Sequence, residues 1–264
     1  MANLTIDFFS LVLHRPVQFK MVIPNDLNPA WNPEQKRKTK KMKTLFLLHG
    51  YEGAAGNWIP ENLPTLYNFA VVMPNGENGF YTDGLSTGHQ YATFVAEELL
   101  GYVRKTFNLA MTREDTYIMG YSMGGYGALR TALAYPDRFS KTVGLSSALI
   151  VRGCSTMKPG ESNPIANYEY YRECFGELSE VLTSRNNPEV LVDEILTQNK
   201  KMPEIYMACG FQDFLINENR TFHKYLEDKK VPHKYCESEG IHDMNFWREY
   251  AEKFIPMLFE DDLD

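Results

Sequence analysis

The sequence predicts an α/β protein, a doubly wound and mostly parallel sheet with helices on both faces. Two observations carry this. Apolar runs of strand length alternate with amphipathic, helix-length stretches from residue 44 onward. The runs are nearly unbroken, as strands buried on both faces are, where a half-exposed strand would alternate. At 264 residues, 44% hydrophobic and 23% charged, the chain has the apolar content of an ordinary globular protein with a full core. It reads as one domain over 1–264.

Taken in order, residues 4–23 (LTIDFFSLVLHRPVQFKMVI) are β-rich and loosely alternating, which predicts two antiparallel strands. Residues 25–43 are polar and carry prolines, hence a loop. The runs TLFLLH (44–49) and FAVVMP (69–74) read as buried strands. Over 91–107, Tyr91, Phe94, Val95, Leu99, Tyr102 and Val103 share one helical face. TYIMGY (116–121) is a strand, and GGYGALRTALA (124–134) a helix rich in small residues. Strands are expected over 141–146, 204–209 and 233–237, and helices over 217–229 and 244–258. The long connection at about 148–202 contains Pro159, Pro164 and Pro188, with helices expected around Tyr168–Tyr171 and over 189–196. Connections of that length are generally functional, and this one is expected to cover the sheet's C-terminal edge and shape a substrate pocket there.

Bulk properties exclude several classes. A net charge of -7 opposes a nucleic-acid footprint, which needs a concentrated positive face. The basic run at 36–43 (KRKTKKMK) has no interleaved aromatic residues and reads as a solvated loop. Cys154, Cys174, Cys209 and Cys236 show neither CxxC nor Cys/His spacing, so neither a disulfide framework nor a metal site is expected. No stretch approaches the roughly 20 apolar residues of a membrane span. With no basic leader before a long apolar run, the reading is cytoplasmic. Association of identical chains is left open.

The chemistry concentrates at Gly120-Tyr121-Ser122-Met123-Gly124, which fits G-x-S-x-G. That pattern sets a serine on a sharp strand-to-helix turn, with glycines where strand and helix approach too closely for a Cβ. An apolar strand before it and a small-residue helix after it are the contexts the pattern requires. Ser122 is therefore the expected nucleophile. Its base should follow it in the chain, which leaves His223, His233 and His242. His223 falls inside a predicted helix and His233 opens a strand; His242 lies in a Gly-flanked loop after the last strand and is the expected base. The acid should follow the strand at 204–209, where Asp213 stands; Asp193, Asp228 and Asp243 fit less well. The oxyanion donors are expected from the backbone N–H groups of Met123 and Tyr51. His49 precedes the serine and is expected to shape the Tyr51 loop. Asp83 is expected to stabilise a turn and Trp58 to pack under the oxyanion loop, while Tyr168 and Tyr171 are candidates for a pocket wall.

The segments LLHGYEGAAGNW, VVMPNGENGFYTD, YIMGYSMGGYGALRTALAYPDRF, CGFQDFLINENRTFHKYL and EGIHDMNFW occur in an order that resembles the esterase family of α/β-hydrolases. That family includes esterase D (S-formylglutathione hydrolase), tributyrin esterases, and feruloyl and acetyl-xylan esterases. The resemblance spans about 44–258 and is nearest to the bacterial tributyrin-esterase branch through Gly79-Phe80-Tyr81-Thr82-Asp83. It implies an α/β-hydrolase fold, triad positions at Ser122, Asp213 and His242, and oxyanion positions at Tyr51 and Met123. Two departures concern substrate: Met244 stands where relatives often carry an aromatic residue, and His49-Gly50-Tyr51 matches the thiol-ester branch less well.

The expected activity is that of a serine carboxylic-ester hydrolase, acting through an acyl-enzyme on short-chain acyl esters or acetylated or feruloylated carbohydrate. The alternatives are a thioester hydrolase of S-formylglutathione type and an acyltransferase. Neither a metal nor an organic cofactor is called for.

Overall fold

The computed structural model describes residues 1–24 and 41–259. Of the loop expected over 25–43 and the basic run within it, only Lys41, Met42 and Lys43 are described; the remainder lies outside the described residues. Eight strands form one sheet: β1 (Ala2–Ser10), β2 (Arg15–Ile23), β3 (Lys43–Leu48), β4 (Phe69–Pro74), β5 (Thr116–Tyr121), β6 (Lys141–Leu145), β7 (Glu204–Gly210) and β8 (His233–Ser238). Their order across the sheet is β1-β2-β4-β3-β5-β6-β7-β8. The hairpin β1–β2 is antiparallel and β2 also pairs antiparallel with β4, while every pair from β4 to β8 is parallel.

The helices are α1 (Leu63–Tyr67), α2 (Tyr91–Thr93), α3 (Leu100–Phe107), α4 (Met123–Ala134), α5 (Val151–Cys154), α6 (Tyr168–Phe175), α7 (Pro188–Thr197), α8 (Ile216–Asp228) and α9 (Met244–Phe259). The helix expected over 91–107 forms with a difference: α2 and α3 are joined by a π-helical segment, Phe94–Leu99. Asp83 accepts from the Thr93 amide at 2.9 Å and the Thr93 hydroxyl at 2.8 Å, so its carboxylate ties the preceding loop to this helix start. The short helices α1 and α5 and the 3₁₀ turn Leu178–Thr183 carried no readable period in the sequence.

Period-two alternation of the central strands divides the core. Phe46 and Leu48 pack with α3, α4, α7 and α8 on one face, while Leu45 and Leu47 pack with α1 and α9 on the other. After β3 the chain lays β4 on one side and then returns to lay β5 on the other. The crevice created by such a reversal opens beyond the C-terminal ends of the strands. The connections leaving β3, β5, β6, β7 and β8 at that edge carry Tyr51, Ser122, Ser146, Asp213 and His242.

Candidate active site

Ser122 follows β5 directly and precedes α4, with φ 55° and ψ -122°. This backbone is unfavourable for an L-residue, costing on the order of 1–3 kcal/mol, and it persists only where its surroundings fix it. The surroundings are visible. A Cβ on Gly120 would lie 2.2 Å from the Gly124 carbonyl oxygen, and one on Gly124 2.5 Å from that of His49. Strand and helix thus touch backbone to backbone. The Ser122 amide donates to the Leu145 carbonyl at 2.8 Å and the Ser122 carbonyl accepts from Ala148 at 3.0 Å. Its side chain is left pointing into the crevice.

Asp213 lies in the turn after β7 and is 2% exposed. His242 lies in the loop between β8 and α9. Its Nδ1 stands 2.9 Å and 3.0 Å from the two Asp213 carboxylate oxygens, and its Nε2 stands 2.9 Å from Ser122 Oγ. A carboxylate can only accept, so Nδ1 carries the proton and Nε2 presents its lone pair to the serine hydroxyl, which donates. Burial pushes the Asp213 pKa up, but hydrogen bonds from His242, Ser146 and the Leu215 amide outweigh it and hold the carboxyl below its usual range.

Two further groups secure this chain. Trp247, on α9, donates its indole N–H to Ser146 Oγ at 3.0 Å, which leaves the Ser146 hydroxyl proton for Asp213. The Trp247 ring also stacks on Tyr121 at 4.1 Å and meets His242 edge-on at 5.0 Å. Sequence reasoning missed Ser146; its sole signal was a serine at the end of a buried strand. The sequence carries no sign of a role for Tyr81. It is fully buried, and its hydroxyl accepts from the His49 amide at 3.1 Å, beneath the loop that carries Tyr51.

His49 does shape that loop. Its Nε2 accepts from the Gly76 amide at 3.0 Å, so the ring proton is on Nδ1 and donates to the Gly50 carbonyl at 2.8 Å. The Asn75 Oδ1 contact at 3.2 Å then faces a lone pair and is no hydrogen bond in this tautomer. Burial lowers the His49 pKa and keeps the ring neutral. Among the described residues, neither the Tyr51 amide nor the Met123 amide donates to a protein acceptor. Both residues line the cavity that holds Ser122 and His242.

The remaining candidates lie elsewhere. His223 and His233 bond to each other at 2.7 Å; Asp193 pairs with Lys229 and Asp228 with Lys224; Asp243 accepts from the Phe246 amide at the start of α9. Trp58 is buried and meets Tyr121 edge-on at 5.1 Å. Tyr171 reaches the cavity wall; Tyr168 does not line it, and its neighbour Tyr170 instead meets Tyr51 edge-on at 5.9 Å. The cavity has a volume of about 470 Å³ and is walled mostly by apolar groups. Ile150, Cys154, Ile165 and Tyr171 come to it from the long connection between β6 and β7. Burial pushes the Cys154 pKa up to about 12, so this residue stays a thiol and packs as an apolar group. Among the described residues no cluster of His, Cys, Asp and Glu could hold a metal ion, and no helix is long and apolar enough to cross a membrane.

A mostly parallel sheet with helices on both sides, bearing a strained serine at the end of its central strand, is an α/β-hydrolase. The profile of the family described as "Putative esterase" matches residues 24–259, and the chain belongs to that family. An acetyl esterase of Caldicellulosiruptor saccharolyticus is 37% identical over 254 residues, 95% of each chain. Two Staphylococcus aureus structures superpose over 98% of each chain. One is the substrate-bound fluorophosphonate-binding serine hydrolase FphF, at TM-score 0.83 and 28% identity. The other is the S-formylglutathione hydrolase FrmB, at TM-score 0.81 and 27% identity. The protein is an enzyme, a serine esterase of the carboxylic-ester hydrolase class.

Proposed function

We propose that this esterase cleaves short-chain acyl esters, or acyl groups carried on carbohydrate, through Ser122, His242 and Asp213. The observation that carries the reading is the continuous hydrogen-bonded chain from Asp213 through His242 to Ser122 Oγ, ending in an open cavity. His242 Nε2 takes the Ser122 proton as Oγ attacks the ester carbonyl. The developing oxyanion is held by the Tyr51 and Met123 amides, both without a protein acceptor of their own. His242 then protonates the leaving alcohol, and water, activated by the same ring, releases the acid from Ser122. Asp213, held ionised, keeps the productive tautomer and stabilises the imidazolium.

The 148–202 connection is read as an insertion into a single domain, where it shapes the pocket and so bears on substrate choice. A cytoplasmic setting fits four cysteines that are all free thiols. A second reading, thioester hydrolysis, is favoured by the likeness to the staphylococcal S-formylglutathione hydrolase. The test is one preparation assayed on p-nitrophenyl esters of rising chain length, methyl ferulate, acetylated xylan and S-formylglutathione. Short p-nitrophenyl esters should turn over fastest, and Ser122→Ala should lose at least about 10⁴-fold in kcat while remaining folded. Retention of wild-type rates by Ser122→Ala would overturn the assignment; S-formylglutathione as the best substrate would select the thioester reading.

A further inference from the structure

Glu218 stands in the first turn of α8, where a carboxylate complements the helix N-terminus. That accounts for an acidic residue there, but not for what its side chain does. Oε2 is buried and has no hydrogen-bond partner, and the Glu218 side chain makes no other hydrogen bond or ion pair within the described residues. A buried carboxylate oxygen without a donor costs the full desolvation of that atom, so such groups are rare unless something binds them.

Its position indicates what binds. Glu218 and Gly153 line both the cavity around Ser122 and a side cavity of about 120 Å³ that opens beside it. Four other polar side chains along these walls are already engaged. Asn163 bonds to the Tyr171 hydroxyl at 3.1 Å; Asn187 accepts from the Glu189 amide and donates to the Leu182 carbonyl; Thr221 donates to the Asn217 carbonyl; Arg152 is paired with Glu189 at 2.6 Å. The Glu218 carboxylate is left without a donor on a side chain that lines both cavities.

We infer that Glu218 is a specificity-determining residue that accepts a hydrogen bond from a free hydroxyl carried by the ester substrate away from the reacting carbonyl. A hydroxyl supplies one donor for this one acceptor. An ammonium would bring up to three donors into a wall that also holds the Arg152 guanidinium, and would leave some of them unmet. The inference rests on the reading of Ser122 as nucleophile, because it takes the cavity around that residue as the ester site.

The experiment compares matched pairs. On the alcohol side, monoacetates of ethylene glycol, propanediol and butanediol are each paired with the O-methyl ether. On the acyl side, p-nitrophenyl esters of hydroxy acids are paired with their methoxy twins. The wild type should favour the hydroxyl member of at least one pair by about 10-fold to 100-fold in kcat/KM, the span of one hydrogen bond to a charged group. Glu218→Gln, which keeps an acceptor oxygen, should hold part of that ratio, and Glu218→Leu should bring it near one. Because each ratio is taken on a single protein, it does not depend on how much of a variant folds. Wild-type ratios near one in every pair overturn the inference, as does an undiminished ratio in Glu218→Leu. A preference for protonated dimethylaminoethyl acetate over the hydroxyl esters also overturns it. Calorimetric binding of the same pairs to Ser122→Ala reads the preference without turnover. Absence of ester hydrolysis by the wild type would therefore strike the nucleophile assignment, while the binding ratio still decides the role of Glu218.

Discussion

At Ser122 a residue is held in a backbone conformation that its Cβ disfavours, because the turn between β5 and α4 leaves no other route. The strain can be measured, because Ser122→Ala keeps the Cβ and Ser122→Gly removes it. Ser122→Gly should have a higher unfolding free energy than Ser122→Ala, by about 1 kcal/mol or more, although glycine ordinarily costs stability through its looser unfolded state. If the alanine variant proved the more stable of the two, the positive φ would be costing nothing. Asp213 poses the complementary question of charge. Asp213→Asn keeps the side-chain shape but presents an N–H₂ or a neutral oxygen to His242 Nδ1, which allows the wrong tautomer and removes the charge that stabilises the imidazolium. The expected effect is a loss of about 10³–10⁴-fold in kcat with little change in KM. A silent Asp213→Asn would mean that another carboxylate orients the ring.

At the scale of elements, the site is a convergence of strand ends, and its precision depends on contacts between elements distant in sequence. Ser146 directly follows β6, carries a φ of 43° and is fully buried. Its oxygen receives the Trp247 indole N–H from α9, and its proton is turned toward Asp213 after β7. Ser146→Ala would remove a donor from the carboxylate and leave a buried indole N–H without an acceptor. A fall of about 10-fold in kcat at constant KM is expected, together with a lower melting temperature. If stability fell while kcat held, Ser146 would be a packing group only. The hydrogen-bonded arrangement of Asp213, His242 and Ser122 was legible in the sequence because each stands just after a recognisable strand, in the chain order the fold imposes. Ser146 and Tyr81 could not, because their partners Trp247 and His49 lie far away in sequence and the hydrogen bonds exist only once β6, α9 and the crevice loops have assembled. The same reason hid the π segment: residues 91–107 keep a helical apolar face whether one turn is wound at 3.6 residues or wider. Glu218 was equally invisible, since a glutamate in the first turn of a helix looks like an ordinary end charge.

For the whole molecule, the arrangement of its ionisable groups predicts how stability depends on pH in two stages. Burial holds the pKa of His49 and of His223 below the ordinary histidine value of 6.5. Below that value the unfolded chain takes up protons that the folded chain refuses, so stability should begin to decline as pH falls through about 6.5. The second stage belongs to carboxylates. Asp115, Glu173, Asp193 and Asp213 are pushed up by burial but pulled further down by Lys41, by Ser86 and His89, by Lys229, and by His242 respectively. Glu237 is lowered chiefly by Arg220. With folded pKa values below the unfolded 3.8 and 4.5, these groups give their full stabilisation above that range and lose it as pH falls through their folded values. Urea unfolding free energies measured from about pH 8 to about pH 3 should therefore be level above pH 7, decline modestly toward pH 5 and drop steeply below about pH 4.5. Asp213→Asn, which removes the most deeply buried of these carboxylates, should lie furthest below the wild type at neutral pH and converge on it in acid. Parallel curves for the two proteins across the whole range would show that the Asp213 charge contributes nothing to the fold. The buried carboxylate would then serve His242 alone.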